Sequence, residues 1–132
     1  MTIKPPHLQQ PIEATPDSIA EVVASLLQQK AGGRFAILSS GPQVYMQALS
    51  TPQGFQLEYQ EGSIAEHYHC TREDLSATVI IEVFRDYLAG DIFWKRRFQF
   101  ECRDRRTPSY RAGFRVGQLF GKLAKYVGIR NV

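Results

Sequence analysis

The chain reads as an α+β protein, with an antiparallel sheet of four to five strands in a meander. An N-terminal helix, a middle helix and a basic amphipathic C-terminal helix are expected to pack it. Three observations predict this class. Apolar residues recur at helical spacing in three separate segments, and they alternate between the first two. The turns separating the alternating runs are short enough to make successive strands antiparallel neighbours. At 132 residues, with 43% hydrophobic and 22% charged residues, the chain has the size and composition of one domain with its own core. The expected division is an extended lead-in over 1–14 and a single domain over 15–132, in which 104–132 forms a basic helical extension.

Each element has its own signal. The lead-in holds Pro5, Pro6 and Pro11 and shows no core pattern. Thr15 is a fair N-cap, Pro16 suits the first helical position and Asp17 favours the positive end of the helix dipole. Ile19, Val22, Val23, Leu26 and Leu27 then share one helical face, and Gly32-Gly33 ends it. Phe35 to Leu38 is a strand closed by Ser39-Ser40-Gly41-Pro42. A second strand starts at Val44 and ends at Thr51-Pro52-Gln53-Gly54. In the third, Phe55, Leu57 and Tyr59 face one way and Gln56, Glu58 and Gln60 the other. Glu61-Gly62-Ser63 turns the chain into a fourth strand over Ala65 to Cys70.

Thr71 and Asp74 form a T-x-x-D capping signal for a helix running through Leu88. Its core face would be Leu75, Val79, Ile80, Val83, Phe84, Tyr87 and Leu88, with Gly90 as the stop. Trp94, Phe98, Phe100 and Cys102 share one parity, which predicts a fifth strand starting near Arg96. Pro108 opens the last helix, roughly 108–127, where Val116, Leu119, Phe120, Leu123 and Val127 form an apolar stripe. Gly113, Gly117 and Gly121 line one flank at four-residue spacing, which suits close packing within this chain or in a homodimer.

Charge is distributed unevenly. Residues 1–94 carry five basic and eleven acidic groups, whereas residues 95–132 carry eleven basic and two acidic ones. The candidate basic surface comprises Lys95, Arg96, Arg97, Arg103, Arg105, Arg106, Arg111, Arg115, Lys122 and Lys125. It would suit anionic membrane, nucleic acid, or an acidic face of this or another protein, or would simply be solvated. No run of about 18 apolar residues is present and Met1–Gln10 lacks a secretory core, so a cytoplasmic protein is expected, with Cys70 and Cys102 reduced and packed.

Gln47, Gln56, Glu58, Gln60, His67 and His69 should project from one sheet side, a face that is either solvated or a docking surface for a basic partner. His67 and His69 are two apart on a strand, a spacing that can bind metal, but a third ligand is wanting and no metal or cofactor is expected. Nucleophile elbows and phosphate loops are missing from the sequence, so the reading is non-catalytic. A small metalloenzyme centred on the two histidines is the weakest rival.

The segments V-Y-M-Q-A (44–48), G-F-Q-L-E-Y-Q-E-G-S (54–63), H-Y (67–68), V-I-I-E-V-F-R-D-Y-L-A-G-D (79–91), Trp94 and F-Q-F-E (98–101) form one further pattern. Together they resemble small bacterial proteins encoded beside secreted toxins, the immunity-type proteins of polymorphic toxin systems. The resemblance covers residues 44–101 and implies a protein that binds and neutralises a toxin domain without turnover. Tight inhibitors rely on aromatic and charged anchors. Here those would be Tyr45, Tyr59, His67, His69 and Trp94, beside Gln47, Gln56 and Glu58. The alternative is an adaptor that applies its basic C-terminal helix to anionic membrane or nucleic acid.

Overall fold

In the computed structural model, residues 1–6, 8–28 and 35–103 are described. They form one antiparallel sheet of seven strands in the order β2-β1-β3-β4-β5-β6-β7. The strands are β1 (Thr2–Lys4), β2 (Ile12–Glu13), β3 (Phe35–Gly41), β4 (Val44–Thr51), β5 (Gly54–Glu61), β6 (His67–Cys70) and β7 (Phe100–Cys102). Three helices accompany them: α1 (Pro16–Leu26), α2 (Ala77–Leu88) and the single turn α3 (Trp94–Arg97). The α+β class and the central meander are as the sequence predicts. The sheet is larger, because the N-terminal residues join it.

That enlargement corrects the reading of residues 1–14 as a lead-in without a core pattern. Ile3 is fully buried and pairs with Leu38, which places β1 beside β3. A strand of three residues holds one core side chain, too few to show alternation, and the prolines on its far side mask it.

α1 begins as its residues dictate. The Ser18 backbone N–H donates to Thr15 Oγ1 at 2.9 Å, and the Thr15 N–H donates to Ser18 Oγ at 2.8 Å, a reciprocal capping box. Ile19, Val22, Val23 and Leu26 are buried, but Leu27 lies at the C-cap and is 61% exposed. α2 starts later than the T-x-x-D signal suggests. Ser76 is its cap, accepting from the Val79 N–H at 3.2 Å. Asp74 instead accepts from the Arg72 side chain, and Leu75 pairs with Phe55 through two backbone hydrogen bonds. That pairing requires close approach at Gly54, whose φ is +149° and where a Cβ would stand 2.7 Å from the Leu75 carbonyl oxygen.

The predicted fifth strand is also shorter. Asp91 Oδ1 accepts from the Phe93 N–H at 2.7 Å, and the Asp91 carbonyl accepts from Trp94 Nε1 at 2.8 Å. These bonds bend the chain into α3, so β7 spans only Phe100–Cys102. Cys70 is buried as expected, but Cys102 is exposed on this edge strand; both thiols are free. The helix predicted over 108–127 lies outside the described residues.

One core lies between α1, α2 and one face of the sheet. Ile19, Val23, Leu26, Ile80, Val83 and Phe84 from the helices meet Leu38, Met46, Ala48, Phe55 and Leu57 from the strands. Arg85 ties the two helices together, donating from Nε and Nη2 to the Pro16 carbonyl at 3.1 and 2.9 Å. Among the described residues no helix is long and apolar enough to cross a membrane.

Candidate functional site

Strand register assembles the predicted polar face. Tyr45, Gln60 and His67 are cross-strand neighbours, as are Gln47, Glu58, His69 and Glu101, and Leu49 opposes both Phe35 and Gln56. The structure therefore brings Tyr45, Gln47, Gln56, Glu58, His67 and His69 to one side of the sheet. That side is not solvated. Gln47 and Gln60 are 1% exposed, His67 2%, and Glu58, His69 and Tyr45 are also buried, with only Gln56 half-exposed. α1 and α2 lie on the opposite face.

At its centre is a hydrogen-bonded chain. The Gln60 amide Nε2 donates to Gln43 Oε1 at 2.6 Å and to the Gln43 carbonyl at 3.3 Å, which orients its Oε1 inward. That oxygen accepts from the Tyr45 hydroxyl at 3.3 Å and lies 3.2 Å from His67 Nδ1. His67 Nε2 is 2.8 Å from Glu58 Oε1. Both ring nitrogens of His67 thus lie within hydrogen-bond distance of side-chain oxygens, which fixes the ring between β5 residues Glu58 and Gln60. Phe35, Tyr45, Gln47, Glu58 and His67 each engage in further interactions beyond these.

His69 differs. Its Nε2 is 3.5 Å from Glu101 Oε1, and its buried Nδ1 has no hydrogen-bond partner among the described residues. Burial holds its pKa below the ordinary 6.5, assisted by the Arg103 charge and opposed by Glu58 and Glu101. His67 uses both nitrogens, and among the described residues no three His, Cys, Asp or Glu side chains converge as metal ligands.

The aromatic candidates lie elsewhere. Trp94 is 3% exposed and sits edge-on to Tyr59 at 4.9 Å, while Tyr68 stacks on Tyr59 at 4.8 Å. Burial, followed by the nearby Glu61 charge, pushes the Tyr59 hydroxyl up to about 12. Tyr59 and Trp94, joined by Tyr87, line a groove of about 340 Å³ at one end of the sheet, between the ends of β3–β5 and the α2–α3 connection. Tyr59, Tyr87, Trp94, Ile92, Lys95 and Ser40 are among its lining residues. Two pairs of its polar side chains meet: Lys95 Nζ donates to Glu61 Oε2 at 2.6 Å, and Ser40 Oγ is 3.5 Å from the Tyr87 hydroxyl. No histidine is among its described lining residues.

Beside this groove the chain exposes two large apolar side chains, Ile92 at 65% and Phe93 at 69%. The Asp91 bonds that begin α3 fix them in place. Sequence reasoning missed this pair because both fall between the helix stop at Gly90 and the strand predicted to start near Arg96, where no periodicity assigns a side chain to core or solvent. The available signal was Gly90-Asp91, a helix stop followed by a residue able to cap the next turn.

Of the basic candidates, Lys95 is paired with Glu61, and Arg97 Nη1 donates to Glu82 at 2.9 Å. Arg96 and Arg103 are exposed. Arg105, Arg106, Arg111, Arg115, Lys122 and Lys125 lie outside the described residues. Comparison of the chain with protein-family models, curated proteins and solved structures yields no match.

Proposed function

We propose that this chain is a non-catalytic protein-binding module that neutralises a toxin domain in the manner of an immunity protein. One observation carries the binding reading: Ile92 and Phe93 stand exposed and fixed beside an aromatic groove. Single exposed apolar residues are ordinary, but an adjacent pair held by a capped turn next to a concave aromatic surface is the form of a docking anchor. Burying what remains exposed of both side chains against a partner would contribute about 2–4 kcal/mol. The Lys95–Glu61 and Ser40–Tyr87 pairs favour binding over turnover, since among the described residues of the groove neither pair sets a base beside a nucleophile.

The partner that fits is a protein presenting an apolar side chain to the three rings, with polar groups placed for Asp91 and Lys95 at the margin. The toxin assignment rests on the resemblance of residues 44–101. Co-expression with the product of the adjacent gene tests it: the two should co-purify and the toxicity of that product should be relieved. Phe93→Asp should abolish both effects while the variant still folds. Failure of the unaltered chain to co-purify or to relieve toxicity would overturn the reading.

A further inference from the structure

Building on the docking role given to the groove above, on which this step rests, we propose that the side chain entering it is an arginine of the protein partner. Its guanidinium would lie over the Tyr59 and Trp94 rings, a position that Lys95 holds until the partner displaces it. A cation already sits there. Lys95 Nζ lies 5.6 Å from the centroid of the Tyr59 ring and 5.6 Å from that of Trp94, within the range of cation–π attraction. The same atom donates to Glu61 Oε2 at 2.6 Å. Two rings and a carboxylate thus form a seat for positive charge, and the chain fills it from within.

Charge and shape favour a cation of this kind. Among the charged side chains described along the groove, Glu61 and Asp91 are carboxylates and only Lys95 is cationic. The aromatic walls stand at angles to each other, Tyr59 against Trp94 at 83° and Tyr87 against Trp94 at 61°. A guanidinium is planar, stacks on an aromatic face and carries several N–H donors in a fixed fork, enough for both carboxylates. It is also more weakly hydrated than an ammonium, so it loses less on leaving water. The apolar stem behind it suits Tyr87 and Ile92, which line the same groove.

Lys95 is placed to yield. Its side chain is 34% exposed and that of Glu61 43%, and ion pairs so open to water contribute little to stability. The α3 turn is held by its backbone and by Asp91: the Lys95 N–H donates to the Ile92 carbonyl at 3.1 Å, and Asp91 Oδ1 accepts from the Phe93 N–H. The lysine side chain can therefore swing outward without disturbing the turn. With it in place Tyr59 and Trp94 are nearly buried, so its departure bares ring surface for the incoming group. One cation replaces another, and Glu61 keeps a partner throughout.

Trp94 is the single tryptophan of the chain, so its indole resonance reports on this groove. N-acetyl-arginine amide added to the full chain should shift the Trp94 indole N–H signal saturably, and the neutral isostere N-acetyl-citrulline amide should not. As the arginine probe binds, the Lys95 side-chain protons should lose the ring-current shift that Tyr59 and Trp94 impose. Lys95→Ala should tighten the arginine probe about threefold or more, and Glu61→Gln should weaken it to a similar extent. Lys95→Gln, which keeps much of the stem without the charge, takes the place of Lys95→Ala should that variant unfold. An equal response to both probes, or no saturable response to either, would overturn the proposal. So would Lys95 signals that stay unchanged at saturation. No partner protein enters this experiment, so its failure removes the arginine and leaves the docking role of Phe93 standing, whereas failed co-purification removes the docking role itself.

Discussion

Leu57 and Glu58 are consecutive on β5, and both are almost wholly buried, yet they enter different environments. Leu57 faces the layer of α1 and α2, where stability comes from apolar area and close packing. Glu58 faces the second side, where it pairs with His67 inside a chain of hydrogen bonds. The two faces bury side chains to a similar extent and answer perturbation differently. An apolar core loses in proportion to what is removed, whereas a buried polar network loses most when one partner is left alone.

The comparison can be broken at this pair of residues. Glu58→Ala should destabilise by about 1–3 kcal/mol in denaturant unfolding, because it removes the 2.8 Å partner of His67 Nε2 in a buried site. A double replacement, Glu58→Leu with His67→Leu, should recover most of that loss. If Glu58→Ala cost only about 0–1 kcal/mol, the face would be behaving as a solvated surface. Leu57→Ala should cost about 2–5 kcal/mol, with no second substitution on the other face able to restore it. Gly54→Ala should cost more than about 1 kcal/mol, since its Cβ would press on the Leu75 carbonyl in a positive-φ conformation. This tests the junction of sheet and α2 independently of either face.

The smallest effect is a pH dependence. The folded pKa of His69 is lowered, so around and below the ordinary value of 6.5 the unfolded chain binds a proton that the folded chain does not. Stability should therefore fall as pH drops through 6.5 towards the lower folded value, and level off below it. Comparing unfolding curves for His69→Gln and the unaltered chain over pH 5–8 checks this, with the variant expected to show the shallower slope.

Local chemistry was legible in the sequence wherever one element sufficed to express it. Thr15 and Pro16 start α1 where their residue types say, and the i, i+3, i+4 spacing identifies Ile19, Val22, Val23 and Leu26 as its buried face. The alternation of Phe55, Leu57 and Tyr59 against Glu58 and Gln60 likewise assigns each residue to the correct side of β5. Competing partners defeated the reading elsewhere. Asp74 was claimed by Arg72 and could not cap α2, and Asp91 held Phe93 and Trp94 in a helical turn against the parity of a strand.

The six polar residues thought to mark a solvated or docking face were correctly grouped, but their burial was not legible. Parity determines which way a side chain points, because backbone geometry alternates over two residues. It carries no information about what lies opposite. The sequence by itself therefore determined the α+β class, the meander and the two sides of its strands, all of which follow from local periodicity and turn chemistry. Only the tertiary structure decided that β1 closes onto β3, that Trp94 belongs to the core while Phe93 stands outside it, and that Glu58 and His67 meet away from water. Each of these depends on contacts between residues distant in the chain, where many pairings satisfy the same local pattern and packing selects one.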